Sequence, residues 1–264
     1  MAWAPCRTGR PRYRRDSVQV KTQGLIIREQ TIGESDRLVT ILTRDEGVLR
    51  AFARRAKNLK DSKNSATQLL CYSRLNLYKG REKYIINDAF PIEVFFGLRK
   101  DISRLALAQY FCELASELVP EETDSSEYLR LVLNALHFLC EGTREPELLK
   151  PIVELRMLSF SGYLPDLVCC SECGAYEADW MYFKIGRGTI YCQNCYLDMG
   201  DPCVRLSRGA LTAMRHIVYS DFQKIFSFSV SPAALRELRA ASEAYTLSTL
   251  QRKPKTLDFY NSLL

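Results

Sequence analysis

Apolar and polar positions divide the chain into a strand-patterned first third and a helix-patterned remainder. Gly24-Leu25-Ile26-Ile27 is a short apolar run, and Leu38-Val39-Thr40-Ile41-Leu42 is rich in β-branched residues. Asp45-Glu46-Gly47 reads as a turn, after which Val48-Leu49-Arg50-Ala51-Phe52-Ala53 resumes the strand, so the two form a hairpin. Leu70 to Tyr78 alternates, with Leu75 and Leu77 on one face and Arg74 and Asn76 on the other. Lys79-Gly80-Arg81-Glu82 is a further turn, and Tyr84-Ile85-Ile86 a further strand. Five short strands with no room for crossover helices predict a small antiparallel barrel.

From Leu98 the period becomes helical. Leu98 to Val119 carries two apolar stripes, Leu98/Ile102/Leu105 and Leu107/Phe111/Leu114/Leu118, which predicts one helix buried on more than one side and stopped by Pro120. Asp124-Ser125-Ser126-Glu127 resembles a capping box opening a helix with Leu129, Val132, Leu133, Leu136 and Cys140 in line, closed by Gly142. Glu147 to Phe160 is a third helix, with Pro151 read as near its first turn. Ser207 caps a helix bearing Leu211, Met214 and Val218. Ser231-Pro232 starts a last one bearing Leu235, Leu238 and Tyr245. The expected class is α+β: a five-stranded Greek-key barrel of the OB type, then an all-helical domain. The expected divisions are a basic leader over residues 1–20, read as disordered, a barrel over 21–92 and a helical domain over 93–264.

The helical region is interrupted at about 166–203 by two cysteine pairs, Cys170-Ser171-Glu172-Cys173 and Cys192-Gln193-Asn194-Cys195, eighteen residues apart. A two-residue gap turns both sulfurs of a pair toward one ion. Four thiolates complete a tetrahedral shell with no open position, the pattern of a structural zinc. The same donor set also suits iron, and two disulfides or a chance spacing are the other readings. Gly174 stands where a knuckle needs a free backbone. Trp180-Met181-Tyr182-Phe183 and Gly188-Thr189-Ile190-Tyr191, around Gly186-Arg187-Gly188, read as a hairpin with a knuckle at each end, an insert stapled by metal. Cys6, Cys71, Cys112, Cys140, Cys169 and Cys203 read as small buried hydrophobes.

Charge sharpens the division. The chain is +6 overall, but residues 1–83 carry +11 and the remainder −5. A basic barrel beside a mildly acidic helical part predicts an anionic partner for the barrel, nucleic acid above all. The cations cluster at Arg50, Arg54, Arg55, Lys57, Lys60 and Lys63, and again at Arg74, Lys79, Arg81 and Lys83. Tyr72, Tyr78 and Tyr84 lie among the second group, either for stacking on bases or for packing inside the barrel. Catalytic patterns are missing. His137 reads as a core or boundary residue and His216 as exposed. There is no GxxxxGK[ST] loop and no GxGxxG after a strand, so the expectation is a binding protein rather than an enzyme. No apolar run reaches the length of a membrane span, and reduced cysteines predict the cytoplasm.

Glu34-Ser35-Asp36-Arg37-Leu38-Val39-Thr40-Ile41-Leu42-Thr43-Arg44-Asp45-Glu46-Gly47 resembles the signature of the bacterial RecO family of recombination mediators. So does the order in which it stands: the Gly24–Ile27 strand before it, then Ala53-Arg54-Arg55-Ala56-Lys57 with Ser62-Lys63, Leu75-Asn76-Leu77-Tyr78-Lys79-Gly80, the helical middle and the late cysteine pairs. The similarity runs from residue 20 to about 250. It implies an OB-fold, a helical domain with an inserted zinc finger, binding of single- and double-stranded DNA, and annealing of complementary strands. It further implies binding of the C-terminal tail of single-strand binding protein, and action with RecR in loading the RecA recombinase, in the cytoplasm at the nucleoid. Position by position, Arg37 matches the motif arginine and is the first candidate DNA contact. Arg54, Arg55, Lys57 and Lys63 match the basic segment, and Cys170, Cys173, Cys192 and Cys195 the zinc ligands. The family usually has Gly where Arg55 stands, and the basic leader is extra. The tail pocket is expected as an apolar groove with a nearby cation in the helical part. Outside this resemblance, the competing classes are a zinc-ribbon transcription or adaptor protein and a hydrolase.

Overall fold

The computed structural model describes residues 18–58, 62–80, 83–198 and 200–264. Lys60, Arg81, Cys6 and nearly all of the leader lie outside the described residues. Five strands, β1 (Val18–Ile32), β2 (Asp36–Thr43), β3 (Val48–Ala53), β4 (Cys71–Lys79) and β5 (Tyr84–Val94), close into a barrel in the order β1-β2-β3-β5-β4. A short helix, α1 (Lys63–Ala66), lies between β3 and β4. This is the expected OB-type barrel.

Strand β1 is longer than its apolar run because it serves two neighbours. Its first half pairs with β4 from Val18↔Lys79 to Leu25↔Tyr72, and its second with β2 from Gly24↔Thr43 to Ile32↔Asp36. Gly24 sits where the two ladders meet. A Cβ there would lie 2.6 Å from Ile41 Cγ2 and 2.8 Å from the Leu42 carbonyl oxygen. Backbone cannot yield cheaply, so Gly24→Ala is expected to cost about 1–3 kcal/mol, read as a lowered urea midpoint at unchanged m-value. A midpoint within error of wild type would show that the crossing relaxes freely. At the far side the barrel closes through only two parallel pairs, Ala51↔Tyr84 and Phe52↔Ile85.

Ile26, Val39, Ile41, Leu49, Ala51, Leu75, Leu77 and Ile86 fill the barrel. Part of the opposite face of the same strands is covered by the helical domain. Leu25, Ile27, Leu42 and Val48 belong to the core of the helical part. The β2–β3 turn docks on the loop before the third helix. Val48 N–H donates to the Pro120 carbonyl (3.4 Å), Glu122 N–H to that of Glu46 (3.0 Å) and Ser125 N–H to that of Arg44 (2.9 Å). Gly47, at φ +66°, has no space for a Cβ against Pro120.

The helical part is α2 (Ile102–Leu118), α3 (Ser126–Glu141), α4 (Pro146–Phe160), α5 (Arg208–Tyr219), α6 (Pro232–Leu250) and α7 (Lys255–Asn261). Three expectations are corrected. The first helix does not begin at Leu98: a 3₁₀ turn, Phe96–Lys100, precedes it. Asp101 starts α2 by accepting from Ser103 N–H (2.9 Å) and Arg104 N–H (3.1 Å), which satisfies donors the helix itself cannot. The capping box does not form. Ser125 turns its hydroxyl to the Thr43 carbonyl of the barrel (2.6 Å), and Asp124 accepts from Ser126 N–H instead. Pro146, not Pro151, opens α4; Pro151 is buried in its interior. Ser207 and Ser231 do cap α5 and α6, accepting from Ala210 N–H and Ala234 N–H.

Between α4 and α5 the insert forms a three-stranded sheet in the order β7-β6-β8, from β6 (Trp180–Lys184), β7 (Thr189–Cys192) and β8 (Cys203–Ser207). The β6–β7 hairpin follows the sequence pattern, and β8 adds a strand the pattern did not show. Met181, Phe183, Ile190 and Leu206 are buried against the helices. Phe183 meets Tyr245 of α6 edge-on, with ring centroids 5.4 Å apart.

Candidate metal centre and nucleic-acid interface

The sulfurs of Cys170, Cys173, Cys192 and Cys195 lie within 4.8 Å of one another. Four thiolates around one zinc, each about 2.3 Å from it, stand roughly 3.8 Å apart. The Cys173 and Cys192 sulfurs are 3.7 Å apart. Both knuckles are built by backbone hydrogen bonds. Gly174 N–H returns to the Cys170 carbonyl (2.9 Å) with Gly174 at φ +72°, and Cys195 and Tyr196 N–H both reach the Cys192 carbonyl (3.0 and 2.9 Å). Burial pushes the Cys170 thiol up, but backbone N–H groups of Cys173, Cys192 and Glu172 outweigh it and hold the thiol down to about 6. A sulfur aimed at by amides in this way is prepared as a thiolate. The donor set therefore fits a metal ion in a closed shell, and such an ion would cross-link the two knuckles. Cys169 and Cys203 are outside the cluster; Cys203 meets the Tyr196 hydroxyl instead.

Arg215 of α5, which the sequence did not single out, clamps the first knuckle to the helices. Its guanidinium donates to the carbonyls of Leu167 (2.7 Å), Val168 (3.0 Å) and Tyr176 (2.8 Å) and lies 4.0 Å from the Tyr176 ring centroid. The histidines stand apart from this chemistry. His137 is exposed, not at the core boundary, and His216 is half-buried, its ring bridging Ser220 and the Lys224 carbonyl.

On the barrel, pairing register defines an outer belt. Leu38↔Phe52, Phe52↔Ile85, Ile85↔Tyr78 and Tyr78↔Gln19 are successive cross-strand neighbours, and directly opposed residues share a face. The first four side chains are half-buried. Lys83 lies over the Phe52 ring at 5.3 Å. Arg50, two residues from Phe52 on β3, is exposed on the same face, and Arg54, Arg55 and Lys57 are exposed in the turn that follows. Lys63 opens α1, and Arg74 is exposed on β4. Of the three tyrosines only Tyr78 stands on the belt. Tyr72 donates to Gln23 Oε1 (2.7 Å) and packs toward the helical core, while Tyr84 packs against the barrel interior. Phe52, Ile85 and Leu38 escaped the sequence reading because the β3–β5 seam is set by closure, not by local pattern.

Two predicted contacts are otherwise engaged. Lys79 is paired with Glu122 of the helical part at 2.9 Å and lies over Tyr84. Arg37 is half-buried and donates to the Asn64 carbonyl (2.7 Å) and Thr67 Oγ1 (3.2 Å). Arg55 adopts φ +55°, the left-handed region that the glycine usual at this position would occupy without strain, at a cost of roughly 1 kcal/mol for a side-chain residue.

Residues 17–95 match the family model for the recombination protein O N terminal, and residues 99–258 that for the recombination protein O C terminal. The chain is 35% identical over 244 residues to the DNA repair protein RecO of Acetivibrio thermocellus, covering 92% of this chain and 97% of the relative. It is 33% identical to that of Symbiobacterium thermophilum (91% and 96% covered) and 31% identical to one from Dehalococcoides mccartyi (92% and 95% covered).

Proposed function

The chain belongs to the RecO family of DNA repair proteins, and from that premise we propose that it is a mediator of recombinational repair. In this reading it binds single- and double-stranded DNA through the barrel and anneals complementary strands. With RecR, it helps load the RecA recombinase onto strands coated by single-strand binding protein. The belt carries the reading: Phe52 and Tyr78, with the apolar Ile85 between them, offer stacking surface, and Arg50, Arg54, Arg55, Lys57, Lys63, Arg74 and Lys83 supply cations for phosphates. Holding and aligning strands needs no bond cleavage, so the protein acts as a binder rather than an enzyme, in the cytoplasm at the nucleoid. Zinc is the ion we assign to the four cysteines, in a structural role.

In the same reading we assign the tail of single-strand binding protein to an apolar groove in the helical part. A cavity of about 310 Å³ is lined by Leu148, Phe228, Val230 and Leu235, with Arg104 and Arg144 at its edge. Among the described residues no helix is long and apolar enough to cross a membrane.

The test is annealing of two complementary labelled oligonucleotides without ATP, bare and coated with cognate single-strand binding protein. Fast annealing of both supports the mediator reading. Annealing of bare strands alone removes the coat-protein contact, and failure of both at low salt moves the adaptor class ahead. Arg50→Ala with Lys83→Ala is expected to lower the log–log salt slope of single-strand binding by about 1.4, since each lost phosphate contact contributes roughly 0.7.

A further inference from the structure

Three consecutive residues at the start of β2 hold the basic loop that follows β3. The Ser35 carbonyl accepts from Lys57 N–H (3.1 Å), and Asp36 Oδ1 accepts from Arg55 N–H (2.8 Å). The Arg37 guanidinium donates to the Asn64 carbonyl and Thr67 Oγ1. The set is closed on itself: Thr67 Oγ1 donates to the Lys63 carbonyl (2.6 Å), and Asn64 Nδ2 donates to the Lys57 carbonyl (3.1 Å). Among the described residues, the exposed cations Arg54, Arg55 and Lys57 therefore hang from backbone that Ser35, Asp36 and Arg37 fix, including Arg55 in its left-handed conformation.

We infer that Asp36 and Arg37 are positioning residues for DNA binding, acting through the basic turn Arg54–Lys57 and helix α1 rather than by touching DNA. The inference rests on the proposed role of the barrel in DNA binding. It reverses the simplest reading of Arg37, whose Nη1 is spent on α1. It also gives a carboxylate a favourable role beside a polyanion.

Asp36 gives the test its sign. A carboxylate that merely faces DNA repels it, so removing it tightens binding. A carboxylate that holds the loop does the opposite. Asp36→Ala is expected to weaken binding of a fluorescent oligothymidylate about tenfold, and amide exchange at Arg55 and Lys57 should accelerate. Asp36→Asn keeps an acceptor oxygen and is expected to stay within about twofold of the natural chain, which also controls for folding. Arg37→Ala is expected to weaken binding and to lower the salt slope by more than the roughly 0.7 of one lost contact, because several loop cations disengage together.

Tighter binding by Asp36→Ala overturns the inference. So does a slope change of only one contact in Arg37→Ala with exchange at Arg55 and Lys57 unaltered, which makes Arg37 a direct contact. Arg54→Ala with Lys57→Ala separates the two levels. Undiminished binding in that double variant defeats the DNA role of the loop, and the inference with it. Impaired binding there, with tightening in Asp36→Ala, defeats the inference alone.

Discussion

Metal removal loosens residues 166–203 while α5 and α6 stay folded, and it is the largest single loss of stability expected for this chain. The described residues of the arms around the sheet, 167–179, 193–198 and 200–202, contain no helix and no strand. Their order comes from the two knuckles and the Arg215 clamp, to which the proposed ion would add its cross-link. The sheet itself keeps an inner face of Met181, Phe183, Ile190 and Leu206 on the helical core, which resists complete release. Structural zinc contributes on the order of 10 kcal/mol in small zinc modules, far more than the clamp can replace. Chelation by a phenanthroline, or Cys170→Ser, should therefore raise amide exchange in both arms more than a hundredfold and lower the melting temperature. Unchanged exchange and melting would remove the ion from the folding of this segment.

At Cys170 the pH dependence has a definite sign. With its thiol held down to about 6, well below the ordinary value, Cys170 contributes stability that is fully present above the ordinary thiol pKa and is lost as pH falls through about 6. Protons compete with metal at the same sulfur, so acidification releases the ion.

Glu154→Ala is expected to cost about 3–5 kcal/mol, the second largest effect. Lys150 and Glu154 of α4 are both 0% exposed. The Lys150 ammonium bonds Glu154 (2.7 Å) and Glu243 of α6 (2.8 Å). Glu154 also accepts from the hydroxyls of Tyr110 on α2 (2.8 Å) and Ser242 on α6 (2.7 Å). Burial, with Glu154 alongside, pushes the Tyr110 phenol well above its ordinary range. Removing Glu154 orphans the Tyr110 hydroxyl, leaves Ser242 with only its longer bond to the Arg239 carbonyl (3.2 Å), and leaves a buried ammonium with one partner instead of two. Lys150→Met with Glu154→Gln removes both charges yet keeps an acceptor oxygen for the Tyr110 hydroxyl, while the Ser242 hydroxyl accepts from the new amide and donates to the Arg239 carbonyl. That pair should cost less than either Glu154→Ala or Lys150→Ala alone, as judged from urea midpoints. Equal or additive losses would mean that the charges themselves hold the three helices in register.

Local pattern carried far in this chain, and its failures share a cause. The apolar runs announced the barrel strands, and the cysteine spacing alone announced a cluster whose geometry suits a metal. What escaped was fixed across long sequence separations or by weakly patterned segments. The first half of β1, Val18 to Gln23, is largely polar, and its partner is fifty or so residues away. The exposed second half of β5 carries no clean alternation. Ser125 looks like a helix cap in sequence, yet its hydroxyl serves Thr43 in the barrel. The surroundings of Arg37 depend on Asn64 and Thr67, about thirty residues on, so a motif arginine could be identified but not its partners.

The two-pair seam between β3 and β5 has a consequence for how the barrel breathes. A ring opens at its shortest link, and here that link is Ala51–Phe52 against Tyr84–Ile85. The belt crosses it, since Phe52 and Ile85 are the seam's own outward neighbours. Anything lying along the belt sutures the ring shut, and its affinity is thereby tied to the population of closed rings. Occupancy of the surface and the slowest-exchanging amides of β3 and β5 then report one equilibrium, seen from two sides.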